Sequence, residues 1–206
     1  MGWHSARLAD PQQGTKSRTW PDEYLLMSSH ILQREYFNRS TLQVAKDLLG
    51  KYLVRKTTRR LQVGRIVEVE AYVGPTDLAC HASKGRTKRT EVLFGMPGVA
   101  YVYMIYGMYH CFNVVTEREG FPAAVLVRGV EVVSSETSLV SGPGRVCRWL
   151  NIDRRLTGLD LTKGDELWIE DRGDRVLPRQ VTCSPRIGVD YAGAWAMKPW
   201  RFVLKG

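Results

Sequence analysis

Apolar residues recur along this chain in two periods, and the change from one to the other marks out its elements. After Asn38-Arg39-Ser40, the positions Leu42, Ala45, Leu48 and Leu49 fall at helical spacing. Ser40 or Thr41 can N-cap this helix, and Gly50 is placed to end it in a left-handed conformation. The period then drops to two. Residues 51–56 read as a short strand, a turn at Arg59-Arg60 follows, and residues 63–73 alternate strictly. A polar loop over residues 74–91 separates them from a second alternating pair, residues 101–113, folded about Tyr106-Gly107. Residues 123–133 form a nearly continuous apolar strand, and Gly142-Pro143 opens a short helix running through Leu150. Residues 167–170 and 200–204 read as late strands, and residues 191–197 as a small helical piece. Strands dominate and long helices are missing. The pattern predicts an α+β fold: one domain on a curved antiparallel sheet, open-barrel-like, with peripheral helices and a protruding aromatic β-hairpin.

Composition sharpens this in two places. The first 28 or so residues are polar, without periodicity, and carry Pro11 and Pro21. They are expected to form a loose tail (residues 1–28) ahead of a domain at residues 29–206. Thirty Lys and Arg against 21 Asp and Glu give a net charge of +9, which favours polyanionic partners. Cys80, Cys111, Cys147 and Cys183 are far apart with no CxxC pair, so reduced thiols are expected rather than a zinc ribbon or a disulfide framework. No apolar run approaches a membrane span, and the N-terminus lacks the apolar centre of a signal peptide. No membrane partner is expected.

Candidate chemistry gathers around the long alternating strand. Glu68, Glu70 and Tyr72 share one of its faces. Solvated glutamates would be the ordinary reading, but Val73-Gly74-Pro75 turns the chain at once toward Cys80-His81. A carboxylate, rings and an imidazole can thus meet at one strand end. The next segment, HASKGRTKRT, holds Lys84, Arg86, Lys88 and Arg89 without an acid and suits either phosphate contacts or a solvated loop. In the hairpin, a core tyrosine ladder accounts for Tyr101 and, less fully, Tyr109; Tyr103 and Ile105 share the Tyr101 face. Tyr106 fits a core role poorly, since a hairpin tip cannot bury what it carries; a wedge between stacked bases explains it better. Asn113 suits either a satisfied core polar group or a base-edge reader. Arg128, inside the apolar run AAVLVRGVE, needs a buried partner, either a carboxylate such as Glu70 or a phosphate.

Five segments then carry a resemblance: GRIVEVEAYVGPTDLACH (64–81), YVYMIYGMYHCFNV (101–114), VLVRGVE (125–131), SGPGRVCRWLNI (141–152) and RIGVDYAGAWAMKPWRF (186–202). In this order they resemble the alkyladenine, or 3-methyladenine, DNA glycosylases across most of residues 31–206; the interval from Glu131 to Ser141 is short for that family. The resemblance implies a monofunctional enzyme that flips an alkylated or deaminated purine out of double-stranded DNA and hydrolyses its N-glycosidic bond. It implies no cofactor and no metal. By position it makes Glu70 the general base and Arg128 its partner in holding water and phosphate. Tyr72, His81 and Tyr103 would stack the flipped base, Tyr106 would intercalate, and Asn113 would disfavour guanine by crowding its exocyclic amine. The implied protein is a monomer, cytoplasmic and nucleoid-associated if bacterial or nuclear if eukaryotic.

Two other functions compete. A divalent-metal nuclease would use Glu68, Glu70, Asp77 and His81 as oxygen and nitrogen ligands, though no catalytic lysine lies near the glutamates. A non-catalytic damaged-DNA-binding module would share the basic loop and the wedge and dispense with Glu70. A helix-hairpin-helix reading of Met96-Pro97-Gly98-Val99 fails because Ala100 opens a β run.

Overall fold

The computed structural model describes residues 29–133 and 138–205. The expected tail at residues 1–28 and part of the interval before Ser141 lie outside the described residues. The chain opens with β1 (His30–Ile31), a single helical turn α1 (Arg34–Phe37) and α2 (Thr41–Leu48). The helix forms where its period predicts, burying Val44, Ala45 and Leu48, but its cap is not local. Ser40 makes no side-chain capping bond. The Glu117 carboxylate instead accepts from the Thr41 backbone N–H (2.7 Å) and hydroxyl (2.8 Å), supplying from another segment the acceptor that a helix start needs. Gly50 follows with φ 82°, a conformation that costs glycine little.

Next come β2 (Tyr52–Lys56), β3 (Leu61–Tyr72), β4 (Ala100–Ile105), β5 (Tyr109–Thr116), β6 (Ala123–Val132), β7 (Leu139–Ser141), α3 (Pro143–Trp149), β8 (Leu167–Asp171), β9 (Val181–Ser184) and β10 (Arg201–Leu204). One sheet of order β1-β8-β2-β3-β6-β5-β4 holds them, with β7 on β6 and β10 joining β3 to β9. Its ladders are antiparallel. On one edge of β3, β2 pairs with the first half and β10 with Glu68, Val69 and Glu70. The edge changes partner midway, and the sheet curls into a half-barrel around the second half of β3. The α+β prediction holds. The sequence missed β1, α1, β7 and β9, each too short for a periodic signal.

Both faces of the curled sheet are covered. Ile66, Val69 and Ala71 of β3, Val125, Val127 and Val130 of β6, and Phe112 and Val114 of β5 pack with α2 and α3 in the main core. Strict alternation, which sets Glu68, Glu70 and Tyr72 on one face, would put Val67 with Val69 on the other. Register shifts on either side of Glu68 break that parity and bring Ile66 in with Val69. On the opposite face a smaller cluster of Cys80, Ala82, Leu93, Tyr101, Val115 and Ala124 packs against Tyr72 and Tyr103. Residues 74–91 are therefore more ordered than a polar loop. Ala79, Cys80 and Ala82 are buried while Leu78 is exposed, and 3₁₀ turns form at His81–Lys84 and Glu91–Phe94. The predicted helical piece near the C-terminus is a 3₁₀ segment, Asp190–Trp195, interrupted at Gly193.

Gly64 marks the tightest layer contact of β3. A Cβ there would sit 2.9 Å from Val130 Cβ and 3.0 Å from Trp149 Cζ3. Gly64→Ala is expected to destabilise by about 1–3 kcal/mol through overpacking, read as a lower urea midpoint at unchanged slope.

Candidate active site

Glu68 and Glu70 point away from the main core, yet both are buried: Glu68 is 8 % exposed and Glu70 0 %. The second half of β3 pairs with β6 on one edge and β10 on the other, and the segment after β9 reaches Glu70 through the Ile187 backbone N–H. Glu70 Oε2 accepts from the Tyr72 hydroxyl (2.9 Å) and an Arg128 guanidinium N–H (3.3 Å), while Oε1 accepts from the Ile187 backbone N–H (2.8 Å). Burial raises the carboxyl above its ordinary range, and Arg128, the Ile187 N–H and the Tyr72 hydroxyl pull it back. The pairing of Arg128 with Glu70 is thus present, and Arg128 also donates to Glu68 Oε1 (3.1 Å).

Above this cluster opens a cavity of about 570 Å³ lined by Tyr72, His81, Tyr103, Tyr106, Asn113 and Arg128, with Ile187 and Tyr191 on the far lip. That volume lies within the usual range for small-molecule sites. Glu70 is not itself part of the lining; Tyr72 and Arg128 stand between it and the opening. His81 and Tyr103 meet edge-to-face, centroids 4.5 Å apart at 74°. The His81 Nδ1 shares a hydrogen bond with the Tyr101 hydroxyl (2.9 Å). Burial, reinforced by Arg89 and Lys84, pushes the imidazole down to about 4, so the ring is neutral at physiological pH. Asn113 is 2 % exposed, and its amide donates to the carbonyls of Tyr101 (3.1 Å) and Cys111 (3.4 Å).

Tyr106 is 86 % exposed at the turn joining β4 to β5. Tyr106 and Gly107 both take positive φ (51° and 70°), and the Met108 N–H donates to the Ile105 carbonyl (3.2 Å) to close the turn. Of the basic loop, Arg89 lines the cavity with its guanidinium over the Tyr103 ring (5.4 Å). Lys84, Arg86 and Lys88 are exposed outside it, and Arg86 leans toward Glu91 (3.6 Å).

Sequence reasoning did not pair the two residues that tie these parts together, and it gave Asp77 a role only as a ligand in the metal-nuclease alternative. Asp77 and Arg186 form a bidentate ion pair with both side chains fully buried. Asp77 also accepts from the backbone N–H groups of Val73 and Ala79, while Arg186 donates to the carbonyls of Ala71 and Trp195 and lies over the Tyr72 ring (4.8 Å). Both residues stood inside quoted motifs, and an acid and an arginine in otherwise apolar surroundings were the available signal. The pairing also removes Asp77 from the metal-nuclease reading. Among the described residues, no group of three His, Cys, Asp or Glu side chains is placed to hold a metal ion.

A model of the methylpurine-DNA glycosylase family matches residues 35–206. The chain belongs to that family. A relative from Methanocella arvoryzae is 50 % identical over 188 residues, covering 85 % of this chain and 92 % of its own. One from an Anaeromyxobacter strain is 51 % identical over 177 residues (85 % and 89 %), and one from Legionella pneumophila 49 % over 176 (84 % and 94 %). All three carry 3-methyladenine DNA glycosylase in their names. As a methylpurine-DNA glycosylase, the chain is a DNA-repair hydrolase whose substrate is damaged DNA. No helix among the described residues is long and apolar enough to cross a membrane.

The Asp77–Arg186 pair yields a stability prediction. Asp77→Ala leaves a buried guanidinium without its counter-charge and is expected to cost about 3–5 kcal/mol, measured by chemical denaturation.

Proposed function

We propose that this enzyme flips alkylated purines of the 3-methyladenine type, and deaminated ones, out of duplex DNA and hydrolyses their N-glycosidic bond with Glu70 as the base. The observation that carries this reading is the buried carboxylate, held by Tyr72, Arg128 and the Ile187 N–H directly beneath an aromatic-walled cavity. A base between two stacked rings needs about 7 Å between their planes, two van der Waals contacts. His81 and Tyr103 touch each other, so they serve as one wall, and in this reading Tyr72 is the facing one. Neutral His81 and two phenol rings suit a cationic alkylated purine, which an imidazolium would repel.

A damaged base is already a good leaving group, so the protein's task is to poise water and stabilise a cationic sugar. Ionised Glu70 does both, and general-base assistance supplies roughly 10²–10⁴-fold. Arg128 keeps the carboxylate ionised and lies where the opened nucleotide's phosphate can approach. Asn113 is clamped by two carbonyls and cannot swing aside, which supports steric rejection of the guanine amine. Tyr106 fills the gap left in the duplex, and Lys84, Arg86, Lys88 and Arg89 hold phosphates. The enzyme acts as a monomer.

Glu70→Gln is expected to retain lesion-DNA binding and lose base release, with wild-type release persisting in EDTA; release by the variant would remove the base assignment. The raised carboxyl also fixes a pH dependence. Activity needs the ionised form, so the acid limb of kcat/KM lies above the ordinary glutamate value of about 4.3. A carboxyl raised on folding gives stability that is present below the unfolded value and lost as pH rises through the folded one. Glu70→Gln should therefore melt at or above the wild-type temperature at pH 7, with the gap closing in acid. Tyr106→Ser should slow excision from paired duplex by roughly tenfold or more, the worth of one base–aromatic stack, while spectroscopy shows an intact fold.

A further inference from the structure

Arg128 is gripped from both sides, and the second grip belongs to residues outside the cavity lining. We propose that Glu68 and Arg201 are positioning residues that aim Arg128 at Glu70, an inference that rests on reading Glu70 as the base.

The β3–β6 ladder carries two compensating register shifts. Val67 is extra on β3 between the pairs Ile66↔Val130 and Glu68↔Gly129, and Arg128 is extra on β6 between Glu68↔Gly129 and Val69↔Val127. Such irregularities turn side chains out of the regular pleat. Here they free Arg128 from a cross-strand partner and let its fork straddle two carboxylates, Nε to Glu68 (3.1 Å) and a terminal nitrogen to Glu70 (3.3 Å). Gly129 supplies the room: a Cβ at that position would lie 3.1 Å from Glu68 Cβ and 3.4 Å from its Oε2.

Glu68 is anchored in turn. Arg201 stands opposite Glu70 in the β3–β10 register, yet its Nε donates to Glu68 Oε1 at 2.7 Å, while a terminal nitrogen donates to Ser184 Oγ on β9 (3.2 Å). A line of hydrogen bonds thus runs Ser184–Arg201–Glu68–Arg128–Glu70 across β9, β10, β3 and β6. Removing Glu68 leaves Arg128 with one partner and free to rotate toward the opening, and it leaves Arg201 without its carboxylate. The charged and titratable groups facing Glu70 are Glu68 and Tyr72 on β3, Arg128 on β6, Tyr103 on β4, Cys111 on β5 and Arg186 after β9. Of these, Glu68 is the acid that opposes ionisation of Glu70.

The test is single-turnover release of 3-methyladenine from methylated duplex DNA across pH, with DNA affinity by fluorescence anisotropy and fold by circular dichroism. Glu68→Ala and Arg201→Ala are expected to slow release on the order of 10²-fold, as misplacement of a reacting group does, at unchanged DNA affinity. Glu68→Gln keeps the accepting oxygen and removes the charge. It should recover most of the rate and shift the acid limb to lower pH. A wild-type rate in Glu68→Ala alongside an inactive Glu70→Gln overturns the inference and leaves the base reading standing. Retained release in Glu70→Gln overturns both. Should Glu68→Ala fail to fold, Arg201→Ala decides: a wild-type rate in that variant overturns the inference.

Discussion

The ion pair between Asp77 and Arg186 is the constraint on which the site depends. Both side chains are withdrawn completely from water, so each charge needs the other and the hydrogen bonds around the pair, which satisfy Asp77 and all of Arg186 but its Nε. Those bonds fall on three separate segments. Val73 and Ala79 mark the turn that brings His81 to the cavity, Ala71 is the last core residue of β3, and Trp195 lies in the C-terminal 3₁₀ segment. Arg186 backs the Tyr72 ring and precedes Ile187, whose N–H holds Glu70. A buried pair with these ties fixes the carboxylate, the ring above it and the imidazole wall relative to one another. Preorganisation of this kind is what a catalytic group needs within a fraction of an ångström.

Around that frame the protein arranges charge at some cost to itself. Burial raises the Glu70 carboxyl, and one arginine, one backbone N–H and one phenol draw it back. His81 is kept neutral by burial and by the basic residues beside it. The outcome is a cavity walled by neutral rings, with the Glu70 carboxyl behind it, within a protein of net charge +9. Lys84, Arg86 and Lys88 are exposed outside the cavity, while Arg89 and Arg128 line it and Glu70 lies behind Arg128. Stability and function pull in opposite directions at Glu70, and the surrounding hydrogen bonds hold the balance.

Much of this was legible one residue at a time. Alternation put Glu68, Glu70 and Tyr72 on one face, a lone arginine in an apolar strand announced a buried partner, and Tyr106 at a glycine turn had nowhere to bury itself. These inferences work because period, turn chemistry and the cost of burying charge are local properties. The inferences that failed depended on distant segments. The acceptor at the start of α2 comes from Glu117, remote in sequence. Glu70 is dry because Arg128 of β6 and the Ile187 N–H after β9 close on it, and Val67 leaves the Val69 face because two strands slip past each other. No single-strand pattern carries a register shift, since a bulge is a property of the pair.

The sequence by itself determined the strand-dominated α+β class, the run of elements, the family, and which side chains are chemically able to serve a damaged purine. The tertiary structure alone decided that Glu70 lies sealed beneath the cavity rather than in its wall, that His81 and Tyr103 make one wall, and that Asp77 and Arg186 lock the parts together. The reason lies in range. Side-chain chemistry and backbone periodicity are written within a few residues, whereas burial and the pairing of opposite charges depend on which distant segments the curled sheet brings together.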